Sequence, residues 1–207
     1  MEIPASPPPA AVPEGAYILR PSIVERLDWA ASFGNPGPVE LELGAGDGSF
    51  LIHYAATQRE TNFLGVERLL GRLRKIDRKA RRLGLTNVRA LRLEAAYLLE
   101  WMIPAGSLQA IHVYFPDPWP KRRHWKRRLV NSVFTGLASK ALRPGGVVFL
   151  RTDDVSYFAQ MNEVFAANPD FHAVPEPAEL LAVKTDFEQE FNAQGIPTNH
   201  VAFQRRA

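Results

Sequence analysis

A chain of 207 residues, 46% hydrophobic and 23% charged, is long enough to bury one substantial core and gives no sign of a second domain. The lack of cysteine removes disulfides, thiolate metal sites and cysteine nucleophiles, and no apolar run approaches the roughly 20 residues that span a bilayer. A net charge of +3 is too small to argue for a nucleic-acid partner; the informative part is the bunching of cations within 72–82 and 121–128.

Residues 1–15 are rich in Pro and Ala and lack the basic and apolar regions of a secretory signal. Residues 1–19 therefore read as a flexible tail on a cytoplasmic protein, with 20–207 as one domain.

Val39-Glu-Leu-Glu-Leu43 has a strand pattern that stops at Gly44-Ala-Gly-Asp-Gly48, and Phe50, Leu51, Tyr54 and Ala55 then predict a helix over 49–57. A second strand is expected at 62–67, and the spacing of Leu69, Leu73, Ile76, Ala80 and Leu83 predicts a helix that stops near Gly84. Residues 87–93 supply a third strand and 110–115 a fourth, which runs directly into Pro116-Asp-Pro-Trp119. A helix over 129–141, a turn at Arg143-Pro-Gly-Gly146, a strand over 147–151 and a helix over 156–167 follow. The segment from 175 onward is less regular and adds edge strands at most. Strands alternating with helices define an α/β fold: an open, mostly parallel twisted sheet with helices on both faces, which binds ligands at the carboxyl ends of its strands. Those ends carry the 44–48 glycines, Glu67, Glu94, Asp117 and Asp153.

Glycines at 44, 46 and 48 allow backbone to approach a ligand, and Glu42 stands ready to accept hydrogen bonds beside them, although a purely structural turn accounts for the same glycines. A dinucleotide fingerprint would need glycine where Ser49 stands. Glu67, about 20 residues beyond the glycines, suits a pair of ribose hydroxyls; its alternative is a carboxylate at the start of the next helix. Glu94 is either an acceptor for an adenine amino group or an exposed loop acid.

Asp117 lies between Pro116 and Pro118, so backbone largely sets its direction, and Trp119 can stack on a base or pack against the core. Six of the eight residues from Lys121 to Arg128 are Lys or Arg, and the run abuts this rigid acid. Arg122, Arg123, Lys126, Arg127 and Arg128 thus read as contacts for nucleic-acid phosphates, an ordinary solvated face being the alternative. The cations of 72–82 lie on the polar side of an amphipathic helix and read as a solvated surface. Thr185-Asp-Phe-Glu188 has the form of a helix capping box. The five histidines show no metal-ligand spacing, so no metal is expected, and His112 reads as a packed strand residue.

Glu42-x-Gly-x-Gly-x-Gly48 resembles the first motif of class I S-adenosylmethionine-dependent methyltransferases. Phe115-Pro-Asp-Pro-Trp-Pro-Lys121 with Arg123-His-x-Lys-Arg-Arg128, and Thr185-x-x-Glu188 followed by Phe191 and Gly195, resemble the two hallmarks of bacterial tRNA (guanine-N7-)-methyltransferases. The resemblance covers about 20–205. It implies a Rossmann-like fold, S-adenosylmethionine as cofactor, and methylation at N7 of a tRNA guanine in the variable-loop region. It further implies cofactor contacts at Glu42, Gly44, Gly46, Gly48, Glu67, Glu94 and Asp117. Acceptor contacts are implied at Lys121, Asp153, Thr185, Asp186, Phe187 and Glu188, with Asp117 as the catalytic residue. The chain departs from the pattern at Glu94, where the family more often has Asp or Asn. Two alternatives stay open: methylation of an exocyclic amino group, because Asp-Pro-Trp is similar to the Asp/Asn-Pro-Pro-aromatic motif, and a non-catalytic RNA-binding protein of the same fold.

Overall fold

The computed structural model describes residues 22–207, so the expected N-terminal tail lies outside the described residues. In chain order the elements are α1 (Trp29–Phe33), β1 (Val39–Leu43), α2 (Ser49–Thr57), β2 (Asn62–Glu67), α3 (Leu70–Arg82), β3 (Val88–Arg92) and α4 (Ala95–Tyr97). A π-helical turn (Leu98–Met102) leads to β4 (Leu108–Tyr114), and a 3-10 helix (Arg122–Arg127) to α5 (Ser132–Ala141), β5 (Leu142–Thr152) and α6 (Val155–Ala166). β6 (Phe171–Val174), α7 (Ala178–Leu181), α8 (Asp186–Ala193) and β7 (Asn199–Arg205) follow. Seven strands form one sheet in the order β3-β2-β1-β4-β5-β7-β6, parallel except at β7, which pairs antiparallel with both β5 and β6. The expected open, mostly parallel α/β sheet is therefore what the chain forms; the irregular region beyond 175 contributes β7, whereas the edge strand β6 lies just before it and carried no strand signal in the sequence.

Strand pleating sorts the core into two layers. Leu41, Leu43, Leu64, Val66, Ile111, Val113, Val148 and Leu150 pack on the face covered by Phe134, Met161 and Phe165 of α5 and α6. The opposite face takes Leu51 and Ile52 from α2 and Leu73 and Ile76 from α3. Alternation in β1 does not mean a solvated face: Glu40 and Glu42 are both buried, because β1 is central and covered on both sides. Glu40 is held by His112 Nε2 at 2.8 Å and by Gln109 Nε2 at 3.0 Å, and His112 Nδ1 lies 2.8 Å from the Tyr114 hydroxyl. His112 is packed as expected, its ring stacked on Phe149.

Two boundaries differ from expectation for local reasons. α5 starts at Ser132 rather than 129 because the Asn131 side chain caps it, accepting from Phe134 N–H at 3.0 Å. In β5, Leu142 pairs with Leu108 and Val147 with Ala110, so the predicted turn at 143–146 bulges out of a longer strand.

Candidate active site

Sheet register places the chemistry-bearing residues at one edge. β1 lies between β2 and β4, so the glycine turn after Leu43 is flanked by the end of β2 with Glu67 and the end of β4 with Asp117. β5 adjoins β4 and delivers Asp153 to the same edge.

The glycines serve two purposes. Gly44 and Gly46 adopt φ of 78° and 56°, and a Cβ at either would meet nothing within 4 Å, so the turn faces open space. Gly48 is closed in: a Cβ there would sit 2.8 Å from Ile76 Cγ1, so its role is the packing of α2 against α3. Gly44 and Ala45 N–H both donate to Val66 O at 2.9 Å, which pins the turn to β2.

Behind this turn the Glu42 side chain is buried, and its Oε2 has no hydrogen-bond partner among the described residues. Burial pushes its carboxyl up to about 8, against the opposing pull of the Arg151 guanidinium. A buried acceptor with nothing to accept from, beside a turn open to ligand, is arranged for a cationic or N–H-bearing group. Glu67, also buried, accepts from Leu69 N–H at 2.9 Å through Oε1, and its Oε2 lies 3.6 Å from exposed Arg72. That is the helix-start arrangement, with Oε2 still able to accept. Glu94 is exposed and caps α4, accepting from Tyr97 N–H at 2.8 Å, so its carboxylate is committed to the helix end.

Asp117 is exposed and makes no hydrogen bond or ion pair among the described residues. Its rigidity exceeds what the prolines alone suggest. Phe115 and Trp119 both take positive φ, 50° and 45°, and each immediately precedes a proline. Bulky residues in this region are strained by on the order of 1–3 kcal/mol each, and such strain persists only where surroundings over-determine it. Phe115 N–H extends the β4–β5 ladder by donating to Arg151 O at 2.8 Å, and its ring meets Phe191 of α8 at 5.9 Å. Arg127 covers the Trp119 ring at 4.9 Å and His124 meets its edge at 5.8 Å.

Lys121, Arg122, Arg123, Lys126 and Arg127 are exposed, as a phosphate-contacting run requires. Arg128 is not. It is 1% exposed, donates to Pro118 O at 2.7 Å, to Ser156 Oγ at 2.8 Å and to Gln160 Oε1 at 3.0 Å, and lies over Trp125 and Tyr157. The expectation that it meets RNA is corrected: Arg128 ties the Asp117 segment to α6.

Thr185 caps α8 as the capping-box reading requires, its side chain accepting from Glu188 N–H at 2.9 Å, but the Glu188 side chain turns to Arg151 rather than completing the box. Glu188 is buried and pairs with Arg151 at 3.1 Å, so both ends of the Thr185–Glu188 segment expected to bind the acceptor are occupied within the protein. Asp186 N–H donates to Ser49 Oγ at 3.1 Å, docking α8 on the first residue of α2, and Phe187 remains half exposed beside Phe191. Arg151 carried no signal in the sequence. It is 1% exposed, bridges Glu176 at 2.5 Å and Glu188, donates to Leu180 O and Val183 O at 2.8 Å, and stacks on Tyr114. A cavity of about 460 Å³ between α8 and β7 includes Glu188, Asn192 and His200 but none of the glycine turn or Asp117. The groups able to do chemistry gather instead at the strand edge.

A turn of this kind at the end of β1 in a sheet of this order defines a class I methyltransferase fold. The solved 16S rRNA methyltransferase KamB is similar over 84% of this chain and 91% of its own, with a TM-score of 0.63 at 16% identity. TrmN from Thermus thermophilus is similar over 82% of this chain and 44% of its own, with a TM-score of 0.60 at 20% identity. A family model described as "Putative methyltransferase" matches residues 36–200. The tRNA (guanine-N(7)-)-methyltransferase of Ralstonia nicotianae is 37% identical over 203 residues, which is 93% of this chain and 78% of that protein. Its counterpart in Streptomyces avermitilis is 40% identical over 177 residues, 84% of this chain and 61% of that protein, so the chain spans well under the full length of these relatives. The chain belongs to the tRNA (guanine-N(7)-)-methyltransferase family.

Proposed function

We propose that the chain transfers the methyl group of S-adenosylmethionine to N7 of a guanine in the variable-loop region of tRNA, giving 7-methylguanosine, in the cytoplasm. The observation that carries the reading is the pairing of two acids on neighbouring strands: buried Glu42, whose Oε2 has no hydrogen-bond partner, behind an open glycine turn, and exposed Asp117 on a strained, rigid segment. When bound, S-adenosylmethionine supplies a sulfonium methyl group electrophilic enough for a neutral guanine to attack.

The residues fit that cofactor. Glu42 offers its free oxygen to the amino group, Gly44 and Gly46 leave room for the amino-acid chain, and Glu67 turns Oε2 to the ribose hydroxyls. Guanine N7 already carries a lone pair at neutral pH, so no residue has to remove a proton first. The work left to the protein is alignment, which supplies about 7–11 kcal/mol at best, and stabilisation of the positive charge the base acquires. Asp117 does both, held at the rim with Lys121 and Asp153 beside the incoming nucleotide. Phe115 and Phe187 give apolar surface for the base, which a tRNA loop can present unstacked. Residues 22–207 act as the catalytic domain.

The test is to incubate the purified protein with labelled S-adenosylmethionine and unmodified tRNA transcripts, digest the RNA and identify the methylated nucleoside by mass spectrometry. Recovery of 7-methylguanosine is expected. Another methylated base would reassign the enzyme to amino-group chemistry, and tRNA binding without methylation would make it a non-catalytic binder.

Because the Glu42 carboxyl sits near 8 when folded against an ordinary value of 4.5, the folded state holds its proton more tightly, and ligand-free stability falls as pH rises between these values. Glu42→Gln should therefore melt above the parent at pH 8, with the gap closing toward pH 5. The same variant should bind S-adenosylmethionine about 10–100-fold more weakly, the worth of a charge-assisted hydrogen bond. Calorimetry reads both, and equal affinity in the variant would remove Glu42 from the cofactor site. In the cationic run, Lys126→Ala/Arg127→Ala should weaken tRNA binding and lower its salt slope by about 0.7 for each single-strand phosphate no longer neutralised. An unchanged slope would return this run to the solvent.

A further inference from the structure

Helix α3 places seven Lys or Arg and a single acid, Asp77, within 13 residues, in a chain whose 25 cations and 22 acids are otherwise nearly balanced. Three of the seven have partners: Arg72 lies 3.6 Å from Glu67, Lys79 pairs with Asp47 at 3.1 Å and Arg81 with Asp77 at 2.9 Å. The other four, Arg74, Lys75, Arg78 and Arg82, form no ion pair among the described residues. Lys75 and the three arginines are all exposed.

At about 100° per residue these four occupy a sector roughly 100° wide, directly opposite Leu73, Ile76 and Ala80, which are fully buried. Arg74, Arg78 and Arg82 follow one another at i, i+4 and i+8, a spacing at which like charges repel. A solvated helix face ordinarily relieves such repulsion with interleaved acids, and this face has none. No aromatic or apolar side chain breaks the stripe, so it lacks the buried anchor of a protein–protein interface. What matches four unpaired cations along about 12 Å of helix is a run of phosphates.

Its position separates the stripe from the acceptor site. α3 leaves the strand edge just after Glu67 and runs back toward the start of β3, whereas the 121–127 cations stay at the edge beyond β4. We propose that the Arg74–Lys75–Arg78–Arg82 stripe is a second phosphate-contact face, which takes the RNA backbone of a part of the tRNA remote from the methylated guanine. The inference rests on the tRNA reading of the active site. Contacts of this kind add affinity and orientation and carry no base information.

The test compares the parent with Arg74→Gln/Lys75→Gln/Arg78→Gln/Arg82→Gln, Gln being a good helix former. Dissociation constants are measured across a KCl series for a whole tRNA transcript and for a short stem-loop carrying only the acceptor region. The variant is expected to bind whole tRNA at least tenfold more weakly, with a salt slope lower by on the order of 0.7–0.9 for each phosphate it no longer neutralises, and to bind the stem-loop as the parent does. Its melting temperature should equal or exceed the parent's, since like-charge repulsion has been removed. Arg78→Glu/Arg82→Glu should weaken whole-tRNA binding further, so the inference stays testable if the quadruple variant folds poorly. Parent-like affinity and slope for whole tRNA would overturn it and leave the stripe to solvent or an acidic protein. Equal losses on tRNA and stem-loop would overturn its remoteness from the acceptor. A parent that makes no 7-methylguanosine in the methylation assay would instead defeat the tRNA reading, which that assay reports separately from the binding series.

Discussion

An Asp117→Asn protein is expected to bind S-adenosylmethionine and tRNA close to the parent's affinities and to transfer methyl about 10²–10³-fold more slowly, the loss typical of removing one preorganised electrostatic stabiliser. Asn keeps the size of the side chain, so strain at Phe115 and Trp119 continues to fix its position, and only the charge is lost. That charge matters little before the reaction, because Asp117 is exposed to water and guanine is neutral. It matters when the base turns cationic and water has been displaced. Single-turnover rates at saturating tRNA isolate this step from binding. A parent-like rate would show that alignment alone drives the transfer and that Asp117 is only a rim acid.

Arg151→Met is expected to cost more stability than any other single change in the C-terminal half, about 3–5 kcal/mol, because it leaves Glu176 and Glu188 buried without their shared cation. In a domain of this size the melting temperature should fall by on the order of 10 °C. Met retains the packing over Tyr114, so the loss is electrostatic rather than a cavity. α8 should also loosen from Ser49, and urea melts read the effect. An equal deficit when Arg151→Met is made in a Glu176→Gln/Glu188→Gln protein would show that the backbone carbonyls of Leu180 and Val183, not the carboxylates, are what Arg151 holds.

Strands and helices bounded by strong local signals were legible from sequence. β1, β2 and α2 fall on the residues their patterns mark, with glycines on either side of β1 and Gly48 opening α2. The glycine turn, Glu67 and Asp117 reach one edge of the sheet because parallel βα units can only deliver their loops there. What the sequence hid is long-range. Arg128 looks like its neighbours in the cationic run, and its burial depends on Ser156, Gln160 and Tyr157, some thirty residues on, as well as on Pro118 and Trp125. Arg151 and Glu176 gave no periodic signal, since their pairing is made by a loop crossing the sheet end. Positive φ at Phe115 and Trp119 runs against the extended bias before proline, so tertiary packing decided it.

The place of β7 in the sheet sets a schedule for synthesis. β5 carries Val147-Val-Phe-Leu150, finds β4 already made on one side, and has its other neighbour in β7, which begins at Asn199. At about 5–20 residues per second the ribosome takes several seconds to cover that interval. Throughout it the nascent chain displays an apolar strand with one row of backbone donors and acceptors unmet, a template for pairing with a neighbouring chain. The sheet cannot close in the order it is made, and the newborn protein is most exposed to aggregation after its catalytic strand ends have already formed.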